Sequence, residues 1–163
     1  MFKEKNFFNF FKKNEEIINK ESLKENFTID QVREKVKIAI EALPEEIKEK
    51  MDKGDLIGMC GTITANILRR LDSKVPIKGA ISSDKNSNGH TYLVANCEEE
   101  KDCVIDATIG QFVEGFEGPF FGTRQELKDL IFSPNTVLIN TRSSNNPSEA
   151  FQRIWGDSSA GMI

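Results

Sequence analysis

Histidine is nearly missing from this chain: His90 is the one example in 163 residues. Cysteine is sparse, at positions 60, 97 and 103, and no two cysteines form a Cys-x-x-Cys pair. A four-ligand zinc site of Cys and His would have to recruit all four of these residues, so zinc is not expected. Three cysteines also fall short of the framework of a disulfide-dense secreted domain. No apolar run approaches the roughly 20 residues of a membrane-spanning helix. Excess positive charge is lacking too. The formal net charge is -4, and residues 1–53 carry 12 Lys+Arg against 12 Asp+Glu, which leaves the whole negative balance to the remainder. A phosphate backbone calls for the opposite sign, and nucleic acid is not expected as a partner.

What is present suits one globular domain, since a chain of this length buries roughly 70% of its unfolded surface. The N-terminus MFKEKNFFNFFKKNEE interleaves charges and aromatics with no small-residue cleavage site, unlike a Sec signal peptide. Within it Phe7, Phe11 and Ile18 share a helical face widened by Phe8 and Phe10. Residues 1–26 are therefore expected to form an amphipathic helical segment. It either packs on a folded domain or, through Lys3, Lys5, Lys12 and Lys13, touches a membrane surface. Residues 27–163 form the expected main domain.

Thr28 and Gln31 make a capping-box pattern before IDQVREKVKIAIEAL, in which Val32, Val36, Ile40 and Leu43 recur at helical spacing. Pro44 opens a second helix closed by Gly54, and a third is expected from about 59 to 72. The period then changes. VPIKGAIS, HTYLVANC and CVIDAT are expected strands, GFEGPFFGT a loop, RQELKDLIF a helix, NTVLINTR a last strand, and the tail a short docked segment. Helices followed by a mostly antiparallel sheet make the fold class α+β.

Asp106 ends an apolar strand, a position where a carboxylate needs compensation. Cys60, in GMCGT, sits at a helix start, where free N–H groups and the helix dipole favour a thiolate. Taken alone, Cys60 also reads as a buried structural thiol, and His90 as a satisfied core or surface histidine. Together with Asp106 they form a nucleophile, a base and an orienter. Pairing His90 directly opposite Asp106 centres the hairpin turn on Glu98 and sets Leu93 opposite Cys103. The competing register pairs Cys97 with Cys103, fits a disulfide, and separates the triad. The first is adopted, with Cys97 and Cys103 as free thiols. The Cys60 N–H is a candidate oxyanion donor, and Gln111, just past the strand, could supply a second. This chemistry needs no cofactor.

Cysteine at a helix start, then histidine and aspartate on successive strands, resembles the papain-like, transglutaminase-like thiol enzymes. More narrowly, DATIGQF followed by FFGTRQELKDLI resembles the papain-like deamidase domain of the Pasteurella mitogenic toxin and related bacterial toxins and effectors. The matching positions are Asp106, Thr108, Gly110, Gln111, Phe112, Gly122 and Thr123. The resemblance spans roughly residues 54 to 132 and implies that Cys60 is the nucleophile, His90 the base, Asp106 the orienter and Gln111 an oxyanion donor. It further implies protein-glutamine deamidation in a host cell, G-protein alpha subunits as a kind of target, and secretion or translocation without a Sec signal. A cysteine protease or transglutaminase would share the acyl-enzyme, and a noncatalytic interaction module is the reading from another class.

Overall fold

The computed structural model describes residues 26–82, 89–141 and 146–156. The phenylalanine-rich helix expected over residues 1–26, with its membrane contact, lies outside the described residues except for Asn26. Most of the DKNSNG loop and residues 157–163 also lie outside them. Among the described residues no helix is long and apolar enough to cross a membrane.

Three helices come first. Helix α1 (Ile29–Glu41) starts at the expected capping box: the Thr28 hydroxyl accepts from the Gln31 N–H, and the Gln31 side chain accepts from the Thr28 N–H. Helix α2 (Glu45–Asp52) follows Pro44, and helix α3 (Cys60–Leu68) begins after a turn in which Gly58 takes φ 77°. That left-handed backbone favours glycine, and it aims the first turn of α3 back at the sheet. Helix α3 ends before the expected residue 72 because the chain tightens, Arg70 and Leu71 donating to the carbonyls of Ile67 and Leu68.

A four-stranded antiparallel sheet in chain order follows: β1 (Ile77–Ile81), β2 (Thr91–Ala95), β3 (Cys103–Asp106) and β4 (Phe120–Thr123). Two elements differ from the sequence expectation. The aromatic stretch expected as a loop supplies β4, whose Phe120 pairs with Asp106. The strand expected over NTVLINTR does not form in its described part, which contributes one isolated bridge between Leu138 and Val113. Thr123 caps helix α4 (Arg124–Phe132), so the chain leaves β4 at once, and residues 137–139 hydrogen-bond to Phe112 and Glu114 instead of the sheet. The docked tail segment is a full helix, α5 (Pro147–Trp155), begun by an Asn146 cap with Pro147 in its first turn.

Every residue of β2 and β3 is buried, because helices cover both faces of the sheet. Val36, Ala39, Ile63 and Ile67 of α1 and α3 pack on Leu93, Ala95, Cys103 and Ile105. On the other face Leu127, Ile131, Phe151 and Trp155 of α4 and α5 pack on Tyr92, Val94 and Val104. The period of two assigns His90 and Asp106 to this second face, while Cys60 arrives from the first layer.

The β2–β3 register is neither of the two weighed from the sequence. Leu93 pairs with Ile105, Val94 with Val104 and Ala95 with Cys103, midway between them. A shift of two residues keeps every side chain on its face, so His90 remains on the side of Asp106 but lies diagonal to it. His90 also precedes β2 and does not open it, although its carbonyl still accepts from the Ser82 N–H at 2.8 Å. Cys97 and Cys103 are both free and buried, and their side chains interact.

The α4 capping box is the sharpest local device outside the site: Thr123 accepts from Glu126 N–H and Glu126 accepts from Thr123 N–H at 2.7 Å. Thr123→Ala should cost about 1 kcal/mol, read as a lower urea midpoint at unchanged slope.

Candidate active site

Asp106 is fully buried, and four donors surround it. Oδ1 accepts from the Thr108 backbone N–H at 2.9 Å and from the Thr108 hydroxyl at 3.2 Å. Oδ2 accepts from His90 Nε2 at 2.7 Å and from Trp155 Nε1 at 2.8 Å. Burial alone would push its pKa up. The charge and hydrogen bond of His90, then the Trp155 and Thr108 donors, outweigh that and hold it below the usual 3.8.

With Nε2 committed to Asp106, the other ring nitrogen, Nδ1, is buried and makes no aligned hydrogen bond. The half-buried Cys60 thiol also interacts with the ring. Cys60 acts on the ring through a side-chain contact and through its charge, while Nδ1 has no partner that meets full hydrogen-bond geometry. Burial is the largest influence on His90 and pushes its pKa down. The Asp106 charge and hydrogen bond, joined by Cys60, overcome it and raise the value from 6.5 to about 9. Burial likewise pushes the Cys60 thiol up, but His90 together with the backbone N–H groups of Thr91 and Gly61 brings it below its ordinary value. The two shifts run in opposite senses, and each favours the charged form of its group, the imidazolium of His90 and the thiolate of Cys60.

Aromatic side chains enclose the ring. Phe112 meets it edge-on at 4.8 Å between centroids, Trp155 at 6.1 Å, and Tyr92 stacks at 5.8 Å. They keep water from the His90–Asp106 bond and strengthen it.

Gln111 stands at the end of a single 3-10 turn, Ile109–Gln111. Its Nε2 donates to the Thr108 hydroxyl at 2.9 Å, which itself donates to Asp106, and Asn140 Nδ2 donates to the Gln111 carbonyl at 2.8 Å. One amide hydrogen of Gln111 is thus fixed. Gly110 lets this turn close, since a Cβ there would lie 2.8 Å from the Phe116 carbonyl oxygen.

Cys60, His90 and Gln111 line one cavity of about 690 Å³, with Ile57, Phe112 and Arg153 among its other walls. Asp106 lies behind His90, outside the lining. All four residues singled out from the sequence therefore meet at one place. Cys97 and Cys103 lie apart from this cavity, with Cys103 pushed up to about 12 by burial first and Cys97 second. Among the described residues no cluster of three His, Cys, Asp or Glu side chains is placed to hold a metal ion.

Sequence reasoning missed Trp155 and the double role of Thr108. The available signals were the chain's single tryptophan, in an otherwise polar tail, and a hydroxyl two residues after a buried carboxylate. No protein-family model, curated protein or solved structure matches the chain.

Because His90 is the only histidine, its titration can be followed as a single imidazole NMR signal. The midpoint should lie near 9, and Asp106→Asn should bring it to 6.5 or below, because burial stays and the counter-charge goes. Its raised value makes the His90 contribution to stability complete below pH 6.5 and lost as pH climbs through about 9. Asp106 has the opposite sign: its contribution is present above 3.8 and lost as pH falls through its lowered value. Urea midpoints measured across pH should decline at both ends.

Proposed function

We propose that this chain is a papain-like thiol hydrolase that deamidates a glutamine side chain of a host protein. The observation that carries the reading is the meeting of the Cys60 sulfur, the His90 imidazole and the Gln111 amide in one cavity, with Asp106 behind the ring. A cysteine at the start of a helix, facing a histidine and an aspartate from the adjacent sheet, is the arrangement expected of the papain-like enzymes. The DATIGQF motif supports the narrower resemblance to the toxin deamidases.

In the proposed reaction the Cys60 thiolate attacks the carboxamide carbon, and the carbonyl oxygen becomes an oxyanion. The Cys60 backbone N–H and the second Gln111 amide hydrogen receive that charge. His90, already an imidazolium, gives its proton to the nitrogen, and the C–N bond breaks to release ammonia. The product is a thioester on Cys60. Neutral His90 then takes a proton from water, whose oxygen attacks the thioester, and glutamate leaves as the thiolate and imidazolium re-form. Asp106 keeps Nε2 protonated throughout and Nδ1 turned to the sulfur.

A cavity of about 690 Å³ falls in the range of sites that enclose a ligand far larger than one carboxamide. This supports a segment of a protein chain as substrate, and G-protein alpha subunits are the first class to test. By the same resemblance the protein works after secretion or translocation into a host cell; the N-terminal Phe/Lys segment, from its own residues, either packs on a folded domain or makes a peripheral membrane contact.

Intact-mass analysis of candidate targets after incubation with the protein is the test. Each modified site should gain about one dalton, the replacement of an amide by an acid, and Cys60→Ala should abolish the gain. A cleaved fragment would mean proteolysis, a joined product transglutamination, and activity surviving in Cys60→Ala a noncatalytic module. Gln111→Ala should lower kcat by about 10²–10³ with KM little changed, the loss expected of one oxyanion donor.

A further inference from the structure

Asp106 Oδ2 has two partners, and one of them has no place in a three-residue triad. Trp155 is buried in the cluster formed by α4, α5 and the sheet, 49 residues along the chain from the carboxylate. Burial of an indole in a core is ordinary, and its N–H could have been satisfied by a backbone carbonyl. Here it points to the same oxygen that receives His90 Nε2, at 2.8 Å against 2.7 Å. The Trp155 backbone carbonyl is itself tied down, accepting from Arg124 of α4 and from the Tyr92 hydroxyl of β2. Phe151 and Trp155 hold the helix on the sheet. The indole is therefore fixed at both ends.

From this geometry we infer that Trp155 is a positioning residue acting through Asp106: its N–H occupies the second lone pair of Oδ2, so that helix α5 governs how strongly the carboxylate holds the His90 ring. Thr108 already anchors Oδ1 through two bonds, so the carboxylate plane does not depend on the indole. What depends on it is the charge left on Oδ2. A second donor withdraws electron density from that oxygen, and its positive end stands close to the imidazolium. Without it, Oδ2 turns wholly to Nε2, the cation is held more tightly, and the imidazolium becomes a weaker acid. With it, the ring keeps a proton for the leaving group without being locked to the carboxylate.

Among the described residues, the groups that can titrate or carry charge around the ring are these. Asp106 faces it from β3, Cys60 from α3 and the Tyr92 phenol from β2, while Arg153 of α5 lines the same cavity. Of these only Asp106 bonds to the indole N–H, so removing it alters the carboxylate and leaves the other groups in place. The kinetic consequence rests on the hydrolase reading above, but the effect on the ring does not.

The decisive variant replaces Trp155 by benzothienylalanine in the full chain, which keeps the bicyclic shape and exchanges N–H for sulfur. Trp155→Phe is the second variant. In either, the NMR titration midpoint of His90 should move upward by about half a pH unit or more. The benzothienyl protein should also show slower amide turnover at neutral pH. A midpoint that stays in place or moves down, in a folded benzothienyl variant, would overturn the inference and leave Trp155 a packing residue. Absence of amide turnover in the unmodified protein would sink the hydrolase reading alone, because the His90 titration still decides the role of the indole.

Discussion

A carboxylate with no exposure to water depends wholly on its donors, and Asp106 has four. Removing such a charge from solvent costs several kcal/mol unless partners replace the lost hydration. The chain supplies them from three places: a turn just after β3, the residue before β2, and the last residue of α5. Each placement constrains something larger. Thr108 must fold back after the strand, which sets the 3-10 turn carrying Gln111; His90 must lie on the diagonal, which sets the hairpin register; Trp155 must reach the sheet, which docks α5.

The same constraint connects the two helical layers. Helix α3 brings Cys60 to the end of the sheet from one side, and α5 brings Trp155 from the other, so the His90 ring stands where the layers meet. A buried ion pair is poor value as a stabiliser, and its retention in a core that could be apolar is a reason to look for work done there. Under the proposed chemistry that work is to keep a thiolate and an imidazolium together near neutral pH.

Much of this was legible in the sequence because it rests on local rules. The Thr28 and Thr123 caps, the α1 stripe of Val32 and Val36, and the apolar run of β2 depend on neighbours within a few residues. The convergence of Cys60, His90 and Asp106 was expected from chemical type and order along the chain, and that of Gln111 chiefly from the resemblance carried by DATIGQF. The exact hairpin register did not follow, because two registers kept the same faces and the structure adopts a third between them. Strand β4 was hidden in an aromatic, glycine-rich stretch whose pairing with β3 is a tertiary contact. NTVLINTR has the β-branched character of a strand, yet the edge it would join is left by the immediate turn into α4. Trp155 could not be assigned to Asp106 by any spacing rule, since 49 residues separate them.

The account stands on the charge state of the sulfur, and ultraviolet thiolate absorbance measures it directly. The absorbance of the protein minus that of Cys60→Ser, followed across pH, should show the Cys60 thiolate forming below the ordinary thiol pKa of about 8.5. In a His90→Ala background the same difference should appear only at or above that value. A Cys60 thiolate that forms at the ordinary pH in both proteins would contradict the account, since the sulfur would then be indifferent to the ring beside it.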